Sequence, residues 1–431
     1  MQSLSTISKK PSLKGVCITQ KNERMAKLVL TVRAHVGSSA QMHALRLVYA
    51  EAVLSGAGKY SREAWQDALG NIGADISVSL DAGDIDFSVT ALDTASVKTC
   101  TLLTTLFAEP TFSESELVRI KTYLTNNLTR AKDDARTHAY RMFMQQVFQS
   151  GDRRTVYDID ALIQEVATIT REELLVFHRS LWGYAWFYTV GGSTETSELF
   201  KKTLTRIQNM HVSEPVQEYV TKDTQHVAGV KVCLHSVPHK QNIELSIGGV
   251  FPKKRTDVEY PAFVFGMAVL GLYGGFTGRL MSIVREKEGL TYGIYGRAEE
   301  VTSEESGVWR ISTFFSPKDA VQGITSTLRE IARIQKEGIT EDELKRFKVI
   351  LNTRYALVND SLLKRVGEAH SLMKVGTDAE QYETFKDGIQ KMTRKEVNNA
   401  LSKYLDCKNL IISGAGPVAH IQKELKKFEK A

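Results

Sequence analysis

Residues 167–192, ATITREELLVFHRSLWGYAWFYTVGG, and residues 390–416, QKMTRKEVNNALSKYLDCKNLIISGAG, share one plan. In each, a Thr-Arg step (Thr170, Thr393) opens a helix, the helix runs into an apolar strand, and the strand ends on glycine. Two more pairs follow in the same order at nearly the same separation. KGVCITQ (14–20) matches VKVCLHS (230–236), and TFSESELVRIK (111–121) matches GITEDELKRFK (338–348). Ordered matches of this kind mark an internal duplication, and two copies are too few for a solenoid. The chain is therefore expected to form two similar domains, 1–212 and 225–431, with the boundary near 209–228 around Pro215.

Within the first copy, alternating residues Lys27–Val36 predict a strand, and 40–55 and 61–71 predict helices. Ile76–Leu80 and Ile85–Ala91 alternate on either side of Asp81-Ala82-Gly83-Asp84 and predict a hairpin. One long helix is expected from Ser113 to about Phe148, then a helix at 170–181, a strand at 185–191 and a helix at 196–207. Helices and hairpins that do not alternate strictly imply an α+β fold with mainly antiparallel sheets, rather than a doubly wound nucleotide fold.

Composition excludes several classes. Of 431 residues, 42% are hydrophobic and 25% charged, a balance that supports packed cores rather than disorder. No apolar run reaches the roughly 20 residues of a membrane span. The net charge of +6 is spread along the chain. Its densest basic run, Lys423–Lys430, is interleaved with Glu424 and Glu429 and reads as a solvated helix face, so no nucleic-acid partner is expected. The opening MQSLSTISKK has no apolar signal core, which implies a cytoplasmic protein, or a periplasmic one if a signal has been removed. Cys17, Cys100, Cys233 and Cys407 form no C-x-x-C pair, and Cys17 and Cys233 are expected to be small core residues.

The segment 274–297, GGFTGRLMSIVREKEGLTYGIYGR, carries the chemistry. Gly274-Gly275 predicts a turn, Phe276–Lys287 a helix with Leu280, Ile283 and Val284 on one face, and Gly289 its C′ glycine. Leu290–Gly296 predicts a strand with Leu290, Tyr292 and Ile294 on one side. A helix-to-strand corner of this kind can aim the Arg285 guanidinium and the Tyr292 phenol at one spot, as donors to a peptide carbonyl and its oxyanion. The alternative for each residue is ordinary: Arg285 complementing a helix dipole and Tyr292 packing on a strand.

This block resembles the second-domain signature of the insulinase/pitrilysin family of zinc peptidases, which includes the mitochondrial processing peptidase. The carrying residues are Gly274-Gly275, Gly278-Arg279-Leu280 and Arg285-Glu286-Lys287-Glu288-Gly289-Leu290-Thr291-Tyr292. Gly56-Ala57-Gly58, Ile72-Gly73-Ala74 and Pro110-Thr111-Phe112 fit the same family in the first half. The resemblance implies duplicated α+β domains and assigns the family's substrate-binding Arg/Tyr pair to Arg285 and Tyr292.

The zinc segment of that family is degenerate here. The family uses H-x-x-E-H on a first-half helix, with a later glutamate as third ligand. Aligned on Gly56–Gly58, the motif falls on Val48-Tyr49-Ala50-Glu51-Ala52, and the later ligand falls near Asn127. Glu51 is either a relic of the base or an exposed helix residue. His43 and Glu51 alone cannot make a tetrahedral site. His235-x-x-x-His239 is interrupted by Pro238, and Asp133, Asp134 and His138 read as a solvated helix face. Ser361-Leu-Leu-Lys364 has no companion motifs, and no P-loop or Rossmann fingerprint is present.

The resulting expectation is a chain with no cofactor or metal of its own, inactive alone. It would be the non-catalytic subunit of a two-chain zinc metallopeptidase that degrades peptides or unfolded segments. It would lend Arg285 and Tyr292 to a partner carrying H-x-x-E-H and the zinc, or to a second copy of itself. The alternatives are a structural scaffold and a homodimer that holds peptides without cutting them.

Overall fold

The computed structural model describes residues 13–34, 39–211, 222–272, 277–377, 387–419 and 421–430. The expected boundary around Pro215 and the turn at Gly274-Gly275 lie outside the described residues.

The first sheet contains β1 (Leu13–Thr19), β2 (Met25–Val32), β5 (Asp75–Asp81), β6 (Asp84–Leu92) and β7 (Trp186–Gly192), in the order β1-β7-β2-β6-β5. The short strands β3 (Gly56–Ala57) and β4 (Tyr60–Ser61) pair separately. The second sheet contains β8 (Val230–Ser236), β9 (Ile243–Phe251), β10 (Ile294–Glu299), β11 (Gly307–Phe315) and β12 (Leu410–Gly416), in the order β10-β11-β9-β12-β8. Read from the other edge, the second order maps strand for strand onto the first. In both, the first strand pairs parallel to the last, and every other pairing is antiparallel. The duplication and the α+β class are thus realised as two sheets of one topology, packed by helices.

The local signals behind the duplication are built alike. Thr170 and Thr393 each accept from the backbone N–H three residues on, while Glu173 and Glu396 return the bond to the cap, so both capping boxes are formed. The helices Glu114–Ala131 and Glu341–Val358 are both 18 residues long.

One expected element divides. The stretch from Ser113 to Phe148 forms two helices, Glu114–Ala131 and Ala135–Val147. Asp134 adopts an extended backbone and its carboxylate accepts from the Arg136 N–H and the Thr137 hydroxyl. An Asp N-cap of this kind starts a new helix rather than continuing the old one.

The break coincides with a change of domain. One compact unit gathers Met1–Thr129, Tyr157–Val220 and Val358–Lys374, and the other gathers Arg130–Val156, Thr221–Leu357 and Val375–Ala431. Each half of the chain thus gives one helix to the unit of the other half.

In the first unit the guest is helix Leu362–Lys374, which buries Leu362, Val366 and His370 against β2 and β7. Gly191 on β7 makes the approach possible, because a Cβ there would collide with Val366 Cγ2 and stand 3.2 Å from Leu362. Lys374 seals the end with its ammonium 2.8 Å from Asp81 and 2.7 Å from Asp86.

In the second unit the guest is helix Ala135–Val147. It buries Ala135, Ala139 and Phe143 against β8, β9 and β12. Ser413 on β12 donates to the Ala139 carbonyl at 2.7 Å. Farther on, Arg153 binds Glu305 and Arg154 binds the Ser306 carbonyl at 2.6 Å.

Position in the sheet corrects two expectations. Cys17 is exposed and Cys233 only half-buried, because β1 and β8 are outer strands with one neighbour each. The cores lie instead under the inner strands, around Trp65, Phe87, Phe107 and Trp186 in one unit and Phe251, Phe263 and Trp309 in the other. Among the described residues no helix is long and apolar enough to cross a membrane.

Gly191→Ala is expected to cost about 1–3 kcal/mol, the usual range for overpacking. Urea unfolding of Gly191→Ala, Val366→Ala and the double variant checks this. The double variant recovers part of the loss only if the guest helix docks on Gly191.

Candidate functional site

The corner that carries Arg285 and Tyr292 belongs to the second unit and is built from its core outward. Helix Tyr260–Gly271 is buried along nearly its whole length. Leu272 then forms a parallel bridge to Gly296 of β10. Gly278, at φ +118°, returns the chain so tightly that a Cβ there would lie 3.1 Å from the Gly271 Cα. Leu280, Met281 and Val284 are fully buried and anchor the next turn.

That turn departs from the expected α-helix. Met281–Lys287 is a π-helix, with the Glu288 N–H donating to the Ile283 carbonyl at 2.9 Å. Such wide turns cluster at functional sites. Gly289 ends it at φ +67°, as its glycine predicted, and donates to the Arg285 carbonyl at 3.1 Å. Arg285 is half-buried on this turn.

Two charged clamps fix the corner. Arg279 binds both oxygens of Glu343, at 2.7 and 2.8 Å, and also donates to the Gly338 carbonyl. Burial opposes ionisation of Glu343, but the bonds from Arg279 and Thr340 overcome it and hold its pKa below the usual value. Glu288 accepts from Ser326 at 2.5 Å and Arg329 at 2.6 Å, so its pKa is likewise held down against the effect of burial.

The strand expected from Leu290 begins only at Ile294. Leu290 and Ile294 are buried, whereas Tyr292 is 84% exposed. The reason is a small turn: the Thr291 hydroxyl bonds both polar backbone groups of Gly293, and Thr313 donates to the Gly293 carbonyl at 3.0 Å. Thr291 and Thr313 are buried, so a pinned backbone projects Tyr292 into solvent.

The helix that aligns with the zinc motif lies in the first unit and is differently equipped. Helix Ala40–Ala52 buries Val48, Tyr49 and Ala52, while Glu51 is exposed. The Tyr49 hydroxyl meets His178 Nδ1 at 2.8 Å, and His178 Nε2 meets the Phe107 carbonyl at 2.9 Å. A carbonyl can only accept, so Nε2 carries the proton and Nδ1 accepts from Tyr49. Phe107, Phe112, Phe177 and Trp182 surround the pair. Burial lowers the His178 pKa to about 4, so the ring is neutral at pH 7.

This pocket does not fit a zinc ion: its positions carry Val, Tyr and Ala, and both nitrogens of the one nearby imidazole are committed. Asn127 is half-buried and offers no carboxylate, and His43 packs against Tyr157. Among the described residues no group of three or more His, Cys, Asp and Glu side chains is arranged to hold a metal.

Sequence reasoning missed the Tyr49–His178 pair, because nothing in a linear pattern links them. It also separated residues that the second unit joins. His138 stacks on His235 with ring centroids 3.9 Å apart, and His239 lies 3.3 Å from Asp133.

Comparison with known proteins agrees with this picture. Residues 168–351 match the family described as the peptidase M16 inactive domain. The chain is 23% identical over 357 residues to the Helicobacter pylori protein "Non-peptidase homolog YmxG", covering 78% of this chain and 76% of that one. A crystal structure of a peptidase M16 inactive domain from Pseudomonas fluorescens superposes with a TM-score of 0.81 at 20% identity, over 95% of this chain and 96% of that one. A chain of complex III2 from Candida albicans superposes with a TM-score of 0.74 at 14% identity, over 97% of both chains. At these identities the two structures speak for the fold.

His178 and His370 are both buried with pKa values near 4, against 6.5 when unfolded. The unfolded chain therefore binds more protons between those values, and stability falls as pH drops through the window. A loss of about 2 kcal/mol per histidine is expected by pH 5. Urea midpoints at pH 7 and pH 5 measure it. His178→Gln should flatten the dependence, and an equally steep profile in that variant would rule out the assignment.

Proposed function

We propose that the chain is a non-catalytic relative of the peptidase M16 family, and a peptide-holding subunit that lends Arg285 and Tyr292 to a zinc-bearing partner; the match to the inactive domain supports the first part. The observation that carries this reading is Tyr292. Its phenol is 84% exposed on a backbone fixed by two buried threonines, so the hydroxyl is held in place and open to a partner. Arg285, on the preceding π-turn, is the second donor of the pair.

In the assembled enzyme the partner's zinc supplies the activated water. This chain's contribution is positional. Arg285 binds a carbonyl of the extended substrate, and Tyr292 donates to the oxygen on which charge develops. Donors set in place before reaction require no reorganisation as charge develops, which is why a rigid corner suits the role.

A scaffold role is the second reading. The likeness to a chain of complex III2 supports it, since the same fold there stands in a large assembly.

Co-purification with an H-x-x-E-H chain, followed by cleavage of an unfolded peptide, separates the two. Arg285→Ala and Tyr292→Phe are each expected to cost about 2.7–4 kcal/mol of transition-state stabilisation while leaving assembly intact. The chain alone is expected to bind no zinc and cleave nothing. Unchanged rates in both variants, or stoichiometric zinc in the isolated chain, would falsify the peptide-holding reading.

A further inference from the structure

Helix Ala135–Val147, the guest in the second unit, is not held equally along its length. Its first turns meet the sheet through Ala135 and Ala139, which pack with Val237 and Ala415. Phe143, Met144 and Val147, farther along, pack with Val308 and Ile411. Methyl groups bury little area, so the start of the helix is the end that opens first.

At that weaker end two imidazoles lie face to face. His138, on the helix, stacks on His235 of β8, with ring centroids 3.9 Å apart and planes at 20°. The ladder places His235 beside Ala415 of β12, and Ala415 beside Glu244 of β9. His138 is half-buried and tethered, because its Nε2 meets the Lys132 carbonyl at 2.7 Å. A carbonyl only accepts, so Nε2 carries the proton of the neutral ring and Nδ1 receives the second one. Two neutral rings stack without charge repulsion. Two imidazolium ions about 4 Å apart repel, and salt screens so short a separation little.

The charges on the surrounding elements leave this repulsion in place. The helix and the loop before it carry Lys132, Asp133, Asp134, Arg136 and Arg141. Asp134 caps the helix, and Arg136 binds Glu244 of β9. Along β8, Lys231 and Cys233 alternate onto the same face as His235, and burial pushes the Cys233 thiol up, so it stays neutral. Beside β8, Lys426 and Glu429 bind each other. β12 has no charged residue. The turn after β8 brings Lys240 and His239, whose Nε2 lies 3.3 Å from Asp133. That last pair attracts more strongly once His239 is protonated, so it acts against the stack.

We propose that the His138–His235 stack is an acid-sensitive latch: with both rings charged, the first turns of the guest helix are driven off β8. Burial and the neighbouring His138 hold the His235 pKa below its ordinary 6.5. The opened turn therefore binds more protons than the docked one. Docking is complete above that value and weakens as the pH falls through it. The latch is independent of any peptide held at Tyr292.

Hydrogen exchange of the full chain reads the latch. Amides of 138–142 are compared with those of 143–147 in the same molecule at pH 7 and pH 5, after correction for intrinsic exchange. A global loss of stability leaves their ratio unchanged. Protection of the first segment relative to the second is expected to fall about fourfold, from two unit charges about 4 Å apart in water. His235→Gln should abolish the fall. His138→Gln should do the same, and keeps the test open if the first variant disturbs β8. His239→Gln removes the opposing attraction and should steepen the fall. An unchanged ratio in the wild-type chain, an equal fall in the folded variants of the stack, or a flatter profile in His239→Gln overturns the proposal.

Discussion

A sheet has two faces, and in each domain of this chain one face is closed by a helix from the other half of the sequence. The consequences reach both sheets. β12 is buried at all seven positions and β7 at six of seven, which is how a strand covered on both sides behaves. Small residues make the contact possible: Gly191 under Val366 in one unit, and Ala135 and Ala139 near Ala415 in the other. Ionic locks then fix the guests where they leave their hosts. Lys374 sits among Asp81, Asp84 and Asp86, and Arg153 meets Glu305. Removing one partner of a pair as buried as Arg153–Glu305 typically costs about 3–5 kcal/mol, because the other charge is stranded. Neither half of the chain therefore carries a complete domain.

The positions of the first unit that align with the zinc motif include one half of a self-contained polar pair. The Tyr49 hydroxyl and the His178 ring satisfy each other inside an aromatic shell, so no polar atom of the pair is left calling for a cation. A buried polar pair is stable only when both members are satisfied, and this one meets that condition with a neutral imidazole. Restoring a zinc ligand there would have to break that bond and open the packing around Phe112 and Phe177.

Much of this was legible in the chain, and the limits have physical causes. Thr170 and Thr393 announced their helix starts, and Gly289 its helix end, because those signals are local. The exchange was not legible. The i, i+4, i+8 spacing of Leu362, Val366 and His370 says that a face is buried, but not against which sheet. Cys17 was misread because hydrophobic alternation does not reveal that a strand is at the edge. The strand expected through Tyr292 failed for a different reason: the Thr291 hydroxyl competes for the Gly293 backbone and makes a turn where alternation implied extension.

The contrast between the two units is itself informative. In the first, three of the five positions aligned with the zinc motif, Val48, Tyr49 and Ala52, belong to the core, while Glu51 faces solvent. The second shows the opposite. Arg279 and Glu343, and Glu288 with Ser326 and Arg329, hold a corner whose outermost side chain contributes little to the fold. A rigid frame under an exposed donor is how a binding constellation is kept within the narrow geometric tolerance that recognition requires.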